Sequence, residues 1–175
     1  MADEEGDFFE ENEEIEEVEE LSDFAIILDK NFEESDLPYD NYTNFDNYKE
    51  GEFLTEKEFE LLELYNVYPE GYERRKYEAV DKLVTDRGLT YLTVLSHDSQ
   101  NEMTTNFVVY DQEEWYVDHV MIGYDEIAEG FLQIYSSIEV DTITRTTSIF
   151  FDEEMLETEH YYIQEDGEIV WEEDM

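Results

Sequence analysis

The spacing of apolar positions changes character along the chain. Phe8, Ile15, Val18 and Leu21 form a sparse helical stripe in a segment otherwise dense in Asp and Glu. Phe24 to Leu28 (FAIIL) is a short apolar run that suits a strand or a continuation of that helix. Residues 29–50 show no sustained period and read as loop. Within them Tyr39, Tyr42, Phe45 and Tyr48 recur every three residues among Asp and Asn, whose side chains bond the local backbone and favour turns. Thr55-Glu56-Lys57-Glu58 fits a capping box, with Phe59, Leu61, Leu62 and Tyr65 behind it as the apolar face of a helix. Pro69 ends that helix and suits the first turn of another. On the second helix Tyr77, Val80 and Val84 share a face, Glu70/Arg74 and Glu78/Lys82 are favourable i,i+4 pairs, and Gly88 closes the C-terminus.

The second half is rich in strand formers. Leu89–Leu95, Met103–Tyr110 and Trp115–Ile122 have strand composition, with turns at Asp98–Asn101 and Asp111–Glu114, which predicts an antiparallel meander. Asp125 caps an expected helix carrying Ile127, Phe131, Ile134, Tyr135 and Ile138. Thr142–Phe151 reads as a further strand. His160–Ile163 and Glu168–Trp171 flank Asp166-Gly167, the pair that a type I′ hairpin turn favours. The expected class is α+β: an antiparallel sheet of about 4–6 strands with a C-terminal hairpin, and about 3–4 helices packed on it. Residues 1–22 are expected to be an acidic arm, helical against a partner or the core, and 23–175 a single domain.

Charge changes this picture most. The 175 residues carry 52 Asp+Glu against 9 Lys+Arg, a net charge of −43 and a pI near 4.1. A small soluble domain needs a net charge of only about 2 to 8 in magnitude, and the excess repels itself in the compact state, so it points to a use. Disorder is disfavoured, because hydrophobic residues make up 41% and aromatics 15%, with only 2 Pro and 7 Gly.

Several functions drop out. There is no Cys, hence no disulfide framework, thiol catalysis or Cys-held metal. His97, His119 and His160 lack metal-ligand spacing, and Asp40-x-Tyr42-x-Asn44 fails as a calcium loop because Phe45 stands where Gly is needed. Phosphate-binding glycine motifs and the G-x-S-x-G elbow are missing, and Ser96-His97-Asp98 are neighbours suited to a turn. No cofactor is expected, and the chain is not read as an enzyme. The N-terminus lacks a signal-peptide pattern and no apolar run is long enough to span a membrane, so a cytoplasmic location is expected. Direct binding to nucleic acid or an anionic membrane is disfavoured, since phosphate contacts need Lys and Arg.

Carboxylate clusters recur through the chain, while the cations are scattered singly apart from Arg74-Arg75-Lys76, which are expected to pair with acids along a helix face. Duplex DNA carries about one charge per 1.7 Å, so 43 charges correspond to roughly 73 Å of duplex. A protein of this mass exposes about 9,000 Å², enough to present DNA-like charge over one or two helical turns. In composition the chain resembles DNA-mimic inhibitors of phages and mobile elements, such as anti-restriction proteins and uracil-DNA glycosylase inhibitors. That class has no shared motif, and the likeness covers composition alone.

The resemblance implies a protein that occupies the DNA or RNA site of a basic nucleic-acid-binding protein: a restriction enzyme, CRISPR effector, repair enzyme, nucleoid protein or RNA polymerase. In a phage it would serve anti-defence or host takeover in the bacterial cytoplasm. The carboxylates expected to take phosphate positions are Glu10, Glu13, Glu14, Glu16, Glu17 and Glu20 of the arm, Asp36, Asp40, Asp46, Glu50 and Glu52 of the loop, and Glu56, Glu60 and Glu63 of the first central helix. Tyr42 and Tyr48 would add contacts that salt does not screen. The aromatic content also allows a homodimer. The alternative is an immunity protein or antitoxin that neutralises a basic, nuclease-type toxin by the same charge complementarity.

Overall fold

The computed structural model describes residues 21–69, 75–83, 85–97, 101–127, 131–150 and 153–174. Helix α1 (Asp23–Asn31) opens this region, its N-cap Ser22 accepting the Ala25 N–H at 3.0 Å. Two short strands, β1 (Glu33–Ser35) and β2 (Tyr39–Asn41), and helix α2 (Glu56–Leu61) follow. The chain then forms β3 (Lys76–Leu83), β4 (Thr90–His97), β5 (Glu102–Tyr110), β6 (Tyr116–Glu126), β7 (Leu132–Ile138), β8 (Thr142–Phe150), β9 (Glu154–Ile163) and β10 (Ile169–Trp171). All ten strands belong to one mixed sheet in the order β1-β3-β4-β5-β6-β7-β8-β9-β10, with β2 added to β7. Only β1 on β3 is parallel.

The expectation of about 4–6 strands under 3–4 helices is therefore overturned: there are ten strands and two helices among the described residues. The predicted helix bearing Tyr77 and Val80 is β3, whose pairing with β4 slips between Ala79 and Lys82. Tyr77 and Ala79 face one core and Leu83, past the slip, faces the other. A bulged strand thus imitates helical spacing. The predicted helix after Asp125 is the end of β6 and then β7, where Ile134 and Ile138, four apart, fit either period. The FAIIL run is helical in α1, burying Phe24, Ile27 and Leu28.

The capping box is present at α2: Thr55 accepts the Glu58 N–H and Glu58 accepts the Thr55 N–H. The helix stops at Leu61, Glu63 turns left-handed at φ 51°, and a 3-10 turn runs over Leu64–Asn66. The C-terminal hairpin forms, but with a different turn. Gly167 N–H bonds Gln164 O, Gln164 N–H bonds Glu168 O, and Gly167 has φ +92°, which is a type I turn with a glycine bulge. Asp111–Trp115 closes β5–β6 in the same way, with Glu114 at φ 68° in the glycine's role.

The central strands are buried on both faces, which explains their continuous apolar runs. Leu92, Val94, Val108 and Tyr110 meet α1, α2 and the 3-10 turn on one face. Tyr91, Phe107 and Val109 meet Ile138, Ile143 and Ile163 from β7, β8 and β9 on the other. The sheet curls to allow this, bringing β10 back onto β6, where Ile169 N–H bonds Asp118 Oδ2 at 2.9 Å. β2 wedges into the curl: β6 pairs with β7 only at Tyr124–Ile134, and beyond it Asn41 and Ser136 both bond the Ile122 carbonyl.

Candidate partner-binding face

Three carboxylates of the sheet fasten the segment between β1 and α2. Asp81 accepts the hydroxyls of Ser35 at 2.6 Å and Tyr39 at 2.7 Å. Buried Asp125 accepts the Phe45 N–H at 2.8 Å and the Gln133 amide at 3.3 Å. Buried Glu78 accepts the Tyr48 hydroxyl, the Gly51 N–H at 2.8 Å and bonds His97 Nε2 at 2.9 Å. Burial, then the bonds to Asp81 and Glu78, push the Tyr39 and Tyr48 phenols well above their ordinary values, so both remain donors. Between these anchors Asn44 Oδ1 accepts the N–H groups of Asp46 and Asn47, the side-chain turn chemistry that its Asn and Asp content implies.

The fastened segment and β3 enclose a groove of 880 Å³. Five of the sequence candidates line it: Asp40, Tyr42, Tyr48, Glu50 and Glu52. Glu33, Glu78 and Asp81 join them, with Lys30 and Lys49 as the cations present. Tyr42 is exposed and its ring lies 5.6 Å from that of Tyr135, whereas Tyr48 is half-buried with its hydroxyl committed to Glu78. Glu56 and Glu60 stand at a second groove of 510 Å³ over Phe59 and Tyr77. Asp36 and Asp46 are exposed outside both. Glu63 has structural partners, accepting the Tyr116 N–H at 3.2 Å and the Tyr65 hydroxyl at 3.3 Å. Glu10, Glu13, Glu14, Glu16, Glu17 and Glu20 lie outside the described residues.

Sequence reasoning missed Glu33, Glu78 and Asp81 as groove residues. The sequence pairs Glu78 with Lys82 on a helix that does not form; in β3 Glu78 faces the Tyr48–Gly51 loop instead. No local signal marks it, because its partners are 19, 27 and 30 residues away.

The cations that would offset the surface acids are largely used inside the fold. Arg87 donates to the carbonyls of Val140, Ile163 and Gln164, tying the β3–β4 turn to the far half of the sheet. Arg75 donates to Ser96, and Lys76 sits over the Phe53 ring at 4.8 Å; among the described residues neither makes the expected helix-face ion pair. Arg145 joins Glu159 at 2.5 Å while also bonding the Met121 carbonyl. Lys30 joins buried Glu58 at 2.7 Å, and Lys82 reaches Asp29 and Glu34. Glu58, Glu78 and Asp125 are the buried carboxylates among the described residues; the others from Asp23 to Glu173 are partly or fully exposed. Burial raises the Glu58 carboxyl, but bonds from Lys30, the Thr55 N–H, Asn31 and the Thr55 hydroxyl outweigh it and hold it at about 2. His119 is pushed below its ordinary value by burial, and its Nδ1 shares a hydrogen bond of 2.6 Å with the Tyr116 hydroxyl.

Among the described residues, no group of three or more His, Asp or Glu side chains is placed to hold a metal ion, and no helix is long and apolar enough to cross a membrane. Comparison with known protein families, curated proteins and solved structures returned no match.

Proposed function

We propose that this protein is an acidic mimic of nucleic acid, which binds a basic nucleic-acid-binding protein and occludes its DNA or RNA site. The observation that carries the reading is a surface of uncompensated carboxylates held on an ordered sheet. Residues 21–175 contain 40 Asp+Glu and all 9 Lys+Arg. Six of those cations are committed to carbonyls, a hydroxyl, a ring or one or two carboxylates within the fold. The net charge of this part, −31, equals that of roughly 53 Å of duplex. Such a surface steers cationic partners to itself, and the attraction falls with salt.

The 880 Å³ groove gives the charge a place to act. Its Asp40, Glu50 and Glu52 carboxylates are exposed, and its wall is fixed by the Glu78 and Asp81 anchors, so little ordering is needed when Arg or Lys side chains enter. Exposed Tyr42 at the rim offers a ring face to a guanidinium. Restriction, CRISPR, repair, nucleoid and transcription proteins of a phage host are the partner class that this chemistry suits.

The test is capture from bacterial lysate at low ionic strength, with bound proteins identified by mass spectrometry and then challenged with duplex DNA. The expected result is recovery of a nucleic-acid-binding protein that duplex displaces. Recovery of none, or of partners that duplex leaves in place, refutes the reading; a toxin released by salt but not by DNA would instead mark an immunity protein.

A further inference from the structure

The two edges of the sheet end differently. At one edge β3 is covered along its length. β1 pairs with Asp81–Leu83, and the 52–54 segment bonds Tyr77 O and Ala79 N–H. At the other edge β10 pairs only with Tyr161–Ile163 of the ten-residue β9. Among the described residues, no strand pairs with the outer side of Glu154–His160.

Backbone direction on this edge follows from the neighbouring bonds. Ile163 N–H bonds Asp141 O on the β8 side, and Gln164 N–H bonds Glu168 O on the β10 side. The β8–β9 register runs unbroken from Glu154 to Tyr162. Alternation therefore turns the N–H and C=O groups of Glu154, Leu156 and Thr158 outward. Residues 154–158 are all exposed, with Met155 at 52% and Leu156 at 58%. Long open edges bearing apolar side chains are templates for strand pairing.

We propose that this outer edge of β9, residues 154–158, docks an extended basic segment of a protein partner as an added strand. The inference rests on the reading that the partner is basic, and adds the mode of binding. Charge selects the occupant. Self-pairing brings together two copies that each carry a net charge of −43, and their mutual repulsion opposes it. Glu159 is already held by Arg145 and Glu154 accepts the Ser148 hydroxyl at 2.9 Å through one oxygen, so Glu157 and the second oxygen of Glu154 are offered to an incoming strand. Met155 and Leu156 lie between them. The complementary strand therefore reads basic-apolar-apolar-basic, a pattern that is the same in either direction. Its main chain would meet the outward groups of Leu156 and Thr158, and its apolar pair would cover the two exposed side chains.

The probes are two capped peptides of one composition, each with Thr on both flanks: Lys-Val-Val-Lys and Val-Lys-Lys-Val. With the full-length protein at low ionic strength, the first is expected to bind about tenfold more tightly, from the four matched cross-strand pairs. Its binding should slow hydrogen exchange at the Leu156 and Thr158 amides and leave Met155 and Glu157, already bonded to β8, unchanged. Thr158→Pro removes an outward N–H that the fold does not use and should abolish the preference while the thermal melt stays in place. Glu157→Lys provides the same test by charge if the proline variant unfolds. Equal affinities without edge protection overturn the docking strand but leave the basic-partner reading standing. Failure of both peptides to bind overturns both.

Discussion

Glu58 allows the sharpest test of how this chain tolerates its own charge. Its side chain is 11% exposed and accepts four hydrogen bonds: from Lys30 Nζ at 2.7 Å, Asn31 Nδ2 at 3.0 Å, and the Thr55 N–H and hydroxyl at 2.8 Å each. Burial acts to raise its pKa, and those donors lower it from 4.5 to about 2. The folded value lies below the unfolded one, so the unfolded state binds more protons between them. The stabilisation is complete above about pH 4.5 and is lost as pH falls through about 2. At 1.36 kcal/mol per unit the shift corresponds to about 3 kcal/mol at neutral pH. Lys30 makes the largest of the favourable contributions, but it is 63% exposed, so solvent screens its share and the expected net effect is about 2 kcal/mol.

The perturbation is Glu58→Gln, which keeps the shape but offers one acceptor to four donors. The wild-type acid curve alone does not isolate the effect. Protonating the exposed carboxylates relieves repulsion while protonating Glu58 breaks its bonds, and the two oppose each other. The difference between wild type and variant removes the shared part. Urea melts at steps from pH 7 to pH 2 should show a gap of about 2 kcal/mol that is level above pH 5 and closes towards pH 2. A gap that does not depend on pH, or one below about 1 kcal/mol at pH 7, refutes the assignment.

Arg87→Met should lower stability by about 2 kcal/mol, because three carbonyls lose a charged donor; urea melts check this, and a loss within the scatter of surface substitutions contradicts the clamp. Gly167→Ala should cost about 1–3 kcal/mol, since φ is +92° and the new Cβ would stand 2.9 Å from Val109 Cγ1; an unchanged thermal midpoint argues against the bulge turn. Raising salt from low to moderate ionic strength should raise the thermal midpoint while weakening partner binding, and a parallel rise in affinity would remove electrostatics as the driving force. Glu50→Gln with Glu52→Gln should weaken binding to the captured partner and leave stability level or slightly higher; unchanged affinity removes the groove from the site.

What the chain reveals of its fold depends on the range over which each signal acts. The Thr55 capping box, the Asn44 turn and the placing of the C-terminal hairpin rest on neighbours within a few residues, and each is present. Assignments that used side-chain period alone went astray where tertiary structure alters that period. The slip in β3 moves Leu83 to the opposite face from Tyr77, and the three-residue β2 owes its place to a partner about a hundred residues later. The turn in the last hairpin was misread because Asp166-Gly167 suits a two-residue loop, while pairing of Ile163 with Ile169 leaves five residues to accommodate. For the candidate face, the exposed acids from Asp36 to Glu60 were legible as residue types. Their division between two grooves was not, since Glu78, Asp81 and Asp125 act from strands that sequence had no means to place beside the loop.

Two populations of carboxylate follow from these placements, and they answer to opposite forces. Glu58, Glu78 and Asp125 are buried acceptors whose hydrogen bonds organise the α1–α2 corner and the 39–51 segment. Removing one leaves donors unpaired inside the fold, which is costly. The exposed groove carboxylates Asp40, Glu50 and Glu52 are of the other kind: they repel one another, so each one removed relieves the fold slightly. Stability therefore explains the first population and opposes the second. The cations sharpen the contrast. Arg87 binds carbonyls, Lys76 an aromatic ring and Arg75 a hydroxyl, although Asp and Glu outnumber Lys and Arg by 52 to 9. Lys82 and Arg145 do pair with exposed or half-exposed acids, but Arg87, Lys76 and Arg75 sit at junctions of the sheet. The repulsion is left standing along the groove and the β9 edge, where a basic partner would relieve it on binding, and the energy of that relief is available to the complex and not to the free protein.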